Sequence, residues 1–191
     1  MQTAGLATMA YYYFDFRDVE KQNCYGLLSS LILQLSAQSD SCYEILFQFY
    51  RDHENGSRWP NIHSLKKCIT DILTLPGQAP IYFAVDALDE CWNSSGSPSA
   101  REEVLDLVKD LVSLRLPDLH LCVASRPEID IRMVLEQLTS LEISLHNEIG
   151  QKQDILEYIK HVVRSDPNMR RWKEEDRQLV IHTLSEQADG M

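Results

Sequence analysis

The chain has 191 residues, of which 44% are apolar and 25% charged, about one domain on the usual scale of ~100–200 residues per domain. A chain of this length and composition can bury a sizeable core, which excludes intrinsic disorder. Its 18 Lys and Arg against 29 Asp and Glu leave a net charge of −11. That balance argues against a surface for nucleic acid or anionic membrane, which needs clustered Lys and Arg.

Strand-like and helix-like runs alternate along the chain. Thr8–Phe16 (TMAYYYFDF) is aromatic-rich and predicts a strand. In Cys24–Gln38, Leu27, Leu28, Leu31, Ile32 and Leu35 fall on one helical stripe. Cys42–His53 and Ile62–Leu75 predict two more helices, with Pro60 before the second and Pro76-Gly77 ending it. Ile81–Val85 is a short continuous apolar run, which predicts a strand buried on both faces of a parallel sheet. A polar loop over Asn93–Pro98 follows, and Ser99-Ala100-Arg101-Glu102 is a capping-box pattern opening a helix. Leu119–Ala124 predicts another buried strand, Ile129–Leu138 a short helix, and Ser140–Leu145 a strand. Helices over Gln151–Arg164 and Glu174–Gln187 close the pattern.

Five cysteines are dispersed without a CxxC pair, as reduced thiols of a cytoplasmic protein would be. No Cys or His pair has zinc-ligand spacing. The longest apolar stretches, such as Leu27–Leu35, are too short and polar to span a bilayer, and the N-terminus lacks the pattern of a signal peptide. Without a secretory signal, the triplets at Asn55 and Asn93 read as chance matches to the glycosylation pattern.

Strands separated by helices imply a parallel α/β sheet, whose ligands sit beyond the carboxyl ends of the strands. After Ile81–Val85 come Asp86, Asp89 and Glu90. A carboxylate directly after such a strand is placed to hold a water-coordinated Mg²⁺, and a following acid to orient or deprotonate a water. The alternative is a solvated acidic loop, with Asp86 satisfying backbone amides. After Leu119–Ala124 come Ser125 and Arg126. Arg126 could set its guanidinium fork on a phosphate oxygen, or pair with the neighbouring acids.

This combination carries a resemblance. Ile81–Glu90 resembles the Walker B segment of NACHT-type signal-transduction NTPases. Leu121–Pro127 is similar to their sensor strand, which ends in Ser/Thr-Arg. Tyr11–Gln22 resembles the strand-to-helix segment after the P-loop helix in fungal members, grouped with nephrocystin-like NTPase domains. The segment from Leu145 to Tyr158 resembles the lead into the next helix, and Ala188–Met191 a later stretch that continues onward in the family. The resemblance implies a three-layer α/β P-loop NTPase fold, a parallel sheet with helices on both faces. Residues 1–146 would be a partial NTPase core and 147–191 the start of a following helical region. It further implies ATP or GTP with Mg²⁺, with Asp86 on the metal through water, Asp89 and Glu90 on the attacking water, and Ser125 and Arg126 at the nucleotide. Oligomerisation on activation, and ankyrin or WD repeats after the domain, are also family properties.

One family feature is missing. A phosphate cradle needs G-x-x-x-x-G-K-S/T, and the sequence contains no Gly-Lys dipeptide and no Lys followed by Ser or Thr. The residues before Thr8 resemble the end of a P-loop helix. The expectation is therefore a fragment that begins downstream of the cradle, stops inside the domain and does not bind nucleotide alone. The family places the P-loop strand between the sensor strand and the segment resembling Ser140–Leu145. Its absence would leave open, aggregation-prone edges.

Two other functions are open. One is a non-catalytic interaction or decoy module that self-associates or pairs with full-length relatives. The other is a carboxylate metal hydrolase, which lacks the second ligand cluster of a two-metal site. The block Tyr11–Phe14 reads as core strand rather than a base-stacking platform. His120 reads as structural, and Cys91 and Cys122 as packed thiols.

Overall fold

The computed structural model describes residues 7–93, 98–144 and 149–187. The chain divides into two compact units, Met1–Leu138 and Thr139–Met191. Five sequence expectations fall wholly or partly outside the described residues: the residues before Thr8, the middle of the Asn93–Pro98 loop, the end of the Ser140–Leu145 segment, the start of the Leu145–Tyr158 segment, and Ala188–Met191.

The first unit is an α/β fold on a parallel sheet of three strands, β1 (Thr8–Tyr13), β2 (Ile81–Asp86) and β3 (Leu119–Val123), with β2 in the centre. Thr8 registers with Ile81 and Tyr13 with Asp86, while Ile81 registers with Leu119 and Val85 with Val123. Between the strands lie α1 (Cys24–Ser36), α2 (Asp40–Asp52), α3 (Ile62–Leu73) and α4 (Ala100–Ser113), and α5 (Ile129–Leu135) follows β3.

Local chemistry sets these boundaries. Asn23, Ser39 and Asn61 cap α1, α2 and α3 by accepting a first-turn amide, which satisfies donors a helix start leaves orphaned. Ser99 and Glu102 close the predicted capping box at α4. β1 ends at Tyr13 rather than Phe16. Phe14 N still donates to Asp86 O at 3.1 Å, but Asp15 then accepts from both the backbone and the guanidinium of Arg17 and turns the chain away.

Leu27, Leu28, Leu31, Ile32 and Leu35 of α1 are all buried, each contributing about 1.5–3 kcal/mol of transfer free energy. They join Ile69 and Ile72 of α3, Val104 and Leu107 of α4, and one face of the sheet: Ala10, Tyr12 and Phe14, then Ile81, Phe83 and Val85. Gly26 permits the approach of α1 to β1, because a Cβ there would stand 2.6 Å from the Tyr12 hydroxyl and collide with Glu20 O.

The expectation of strands buried on both faces is corrected. Met9, Tyr11, Tyr13 and Tyr82 are 43–57% exposed, and His120 and Cys122 are exposed beside them. Among the described residues of the first unit, helices therefore cover one face of the sheet, not two. Tyr, Met and His tolerate this because each keeps a polar or polarisable part in water. Tyr82 and His120 stack at 4.5 Å on the open face. Cys122 is consequently not a packed thiol, while the place of His120 in the strand is a stack on Tyr82 rather than burial.

The two outer strands have different edges. Along β1, Gln34 exchanges hydrogen bonds with the amide and carbonyl of Tyr11, and Gln38 does the same with Met9. The side-chain amides of Gln34 on α1 and Gln38 just past its end thus stand in for a neighbouring strand. Along β3 no strand follows among the described residues.

The second unit contains α6 (Ile149–Ser165), a short turn at Met169–Arg171 and α7 (Glu174–Gln187). Val163 and Ile181 are buried in it. The strand expected at Ser140–Leu145 does not form over 140–144. That segment joins no ladder, and Leu141 and Ile143 stay largely exposed. An alternating apolar pattern makes a strand only when another strand supplies the hydrogen bonds.

Candidate functional site

Parallel strands bring their carboxyl ends to one edge, so the loops after β1, β2 and β3 converge. After β2, Ala87 takes the left-handed conformation (φ 54°, ψ 44°), and a short helical turn follows at Leu88–Glu90. Leu88 is fully buried and its amide donates to Ala124 O at 3.1 Å, fixing this turn to the end of β3. A non-glycine residue at positive φ is a strained position, of the kind that clusters at functional sites.

The structure brings all five sequence-predicted site residues to this edge, in different states. Asp86 is exposed, and its Oδ1 accepts from the adjacent Ala87 amide at 2.8 Å. Asp89 faces the β3 loop with its side chain only 10% exposed. Its Oδ1 accepts from Arg126 N at 3.0 Å and from Ser125 Oγ at 3.4 Å, and its Oδ2 lies 3.5 Å from Arg126 Nε. Both carboxylate oxygens of Asp89 are thus engaged. Glu90 Oε2 accepts from Phe16 N at 3.1 Å and ties in the β1 loop. The Arg126 guanidinium is 80% exposed beyond its contact with Asp89.

A residue that sequence reasoning passed over organises the cluster. Arg101, in the first turn of α4, is 4% exposed. Its guanidinium donates to the carbonyls of Asp89 and Cys91 and pairs with Glu128 at 2.5 Å and Asp130 at 3.2 Å. Burial works against its charge, but the hydrogen bonds it donates to Glu128 and Asp130 outweigh that and hold its pKa above the ordinary value. A signal was available: a cation in the first turn of a helix opposes the macrodipole, so it needs a partner elsewhere.

Gln22 plays a similar part below the β1 loop. It is buried, its Nε2 donates to Asp15 O and Phe16 O, and its own carbonyl accepts from Trp92 N and Cys91 Sγ. Burial pushes the Cys91 and Cys24 thiols up to about 12, which leaves both protonated at neutral pH and without nucleophilic character.

The donor set bears on the expected Mg²⁺. Among the described residues no three His, Cys, Asp or Glu side chains converge to hold a metal. Among the described residues at this edge, Asp86 is exposed with one oxygen taken by the Ala87 amide, Glu90 has one oxygen taken by Phe16 N, and the Arg126 guanidinium is exposed beyond its contact with Asp89. That fits a metal bridged by water to a single carboxylate with its other ligands on a bound nucleotide. It does not fit an ion held by the protein alone. No helix among the described residues is long and apolar enough to cross a membrane.

A family model described as nephrocystin 3, N-terminal, matches residues 1–126, which take in all three strands and end on Arg126. No curated protein and no solved structure matches the chain.

Proposed function

The chain belongs to the nephrocystin 3 N-terminal family, and on that premise we propose that it is the metal- and water-facing part of a NACHT-like, nucleotide-dependent signalling switch. The carrying observation is the convergence of Asp86, Asp89, Glu90, Ser125 and Arg126 on one sheet edge. Asp86 would hold Mg²⁺ through water, and that ion would neutralise charge on the phosphates of ATP or GTP. Glu90, with one oxygen fixed by Phe16 N, would use the other to orient a water. Arg126 would present its guanidinium to a phosphate. Asp89 would fix the Ser125-Arg126 loop rather than act on water, because both of its oxygens are engaged.

These residues supply no phosphate grip. No Gly-Lys-Ser/Thr loop occurs in the 191 residues, so binding would depend on a cradle supplied from outside them. A second reading, an interaction module that pairs with longer relatives, is favoured by the exposed sheet face of the first unit and by an edge of β3 that pairs with no further strand among the described residues. The 5′ end of the native transcript separates the two. The switch reading expects in-frame codons for a G-x-x-x-x-G-K-S/T loop upstream of Met1. A transcript whose coding sequence starts at Met1 would overturn it and leave the interaction module.

A further inference from the structure

The second unit holds a cleft of about 420 Å³ lined by Glu157, Lys160, His161, Arg164, Ser165 and Arg170. It forms because Lys160, His161 and Arg164 fall on the last two turns of α6, and the chain then doubles back to Arg170. Asp166 builds that reversal. Its Oδ1 accepts from Asn168 N and Met169 N, and its carbonyl accepts from Arg170 N. The cations play no part in these bonds and are left facing the cleft.

The charge in the cleft is positive in a strongly negative chain. Three cations, Lys160, Arg164 and Arg170, face one acid. That acid, Glu157, is already occupied by Lys160 Nζ at 2.9 Å and Gln153 Nε2 at 3.3 Å. Glu174, in the first turn of α7, is held by Arg177 at 2.7 Å and Gln178 at 2.8 Å. Among the described residues the side chains of His161, Arg164 and Arg170 make no hydrogen bond or close salt bridge, although the charge of Arg164 is felt at Glu174. Against a net charge of −11, this is a local field that attracts a small anion.

We propose that this cleft binds a phosphate-bearing ligand, a dianion of the phosphate monoester class. The guanidinium forks of Arg164 and Arg170 match the terminal oxygens of a phosphate, and the Lys160 ammonium, paired with Glu157, stands beside them. The cleft is open and most of its lining residues are exposed, so it would seat the phosphate group while what carries it stays in solvent. The phosphate could belong to a small molecule or to a lipid headgroup. The net negative charge of the chain favours the small molecule, since an anionic bilayer would repel the rest of it.

The test is calorimetric titration of the full chain with inorganic phosphate at physiological salt, ~0.15 M, together with co-sedimentation on phosphatidylcholine vesicles with and without phosphatidylinositol phosphate. The expected result is saturable phosphate binding, weakened about tenfold or more by the double variant Arg164→Gln, Arg170→Gln, as loss of ~1.4 kcal/mol or more requires. Arg164→Lys keeps the charge and removes the fork, so it should weaken binding less and serve as the control if the double variant misfolds. Lys109→Gln, in the other unit, should change nothing. Vesicle binding that depends on the phosphorylated lipid and on the two arginines, without binding of free phosphate, would identify a headgroup as the source. No binding in either assay, or binding that the double variant retains, overturns the proposal.

Discussion

Replacing Arg101 by Met keeps the aliphatic stem in its buried slot and removes only the guanidinium. Two sets of acceptors lose their donor. The carbonyls of Asp89 and Cys91 sit beneath the β2-end turn, and a buried acceptor left without a partner costs about 1–3 kcal/mol. Glu128 and Asp130 are 46% and 42% exposed, so water replaces the guanidinium there, and the full penalty of ~3–5 kcal/mol for breaking a buried pair does not apply. The expected net loss is about 3 kcal/mol, carried mainly by the carbonyls. Urea unfolding followed by circular dichroism should show a lower midpoint at an unchanged m value. Glu128→Gln and Asp130→Asn should each cost less than about 1 kcal/mol. An Arg101→Met protein within ~0.5 kcal/mol of the parent, or carboxylate variants as damaging as the arginine one, would refute this reasoning.

Three more outcomes follow from other parts of the fold. The double variant Gln34→Ala, Gln38→Ala removes the side-chain amides that occupy the β1 edge. It should lose about 2 kcal/mol at 0.5–1.5 kcal/mol per bond, discounted for exposure, and scatter more light at high concentration; equal scattering would sink the edge-capping role. The hydrogen bonds from Arg17 hold the Asp15 carboxyl at about 2, below its ordinary 3.8. Its contribution to stability is therefore present above the unfolded value and is lost as pH falls from about 4 toward 2. Arg17→Gln should move the carbon-13 titration midpoint of Asp15 back toward 3.8. Finally, Cys24, Cys42, Cys68 and Cys91 are buried and Cys122 is exposed. Iodoacetamide should label the native chain at Cys122 alone, and Cys122→Ser should abolish the labelling. Rapid modification of a second thiol in the folded state would contradict the burial.

Much of this was legible locally. The stripe from Leu27 to Leu35, the capping box at Ser99 and the apolar runs at Ile81–Val85 and Leu119–Ala124 each carry their own pattern, and each became the expected kind of element, the last strand ending one residue early at Val123. The gathering of Asp86, Asp89, Glu90 and Ser125-Arg126 followed from a parallel sheet alone, since it needs only that strand ends share an edge. What could not be read was set by partners distant in sequence. A run such as Ile81–Val85 looks the same whether one face or two are covered, so the exposure of Tyr82, His120 and Cys122 was not visible in it. Segment 140–144 has strand-like composition but no neighbour to complete a ladder. Arg101 reads as one more charged residue on a helix surface until Glu128, 27 positions later, is placed beside it.

The account rests on a strand-end cluster that has carboxylates and a guanidinium but no phosphate cradle. Calorimetric titration of the folded chain with MgATP and with MgGTP addresses that directly. No saturable heat is expected in the submillimolar range for either nucleotide, because Asp86 would touch the metal only through water and the 191 residues contain no Gly-Lys-Ser/Thr loop to grip the phosphates. Submillimolar binding that Asp86→Ala abolishes would contradict the account. It would mean that these residues hold a nucleotide without the loop that the switch reading places outside them.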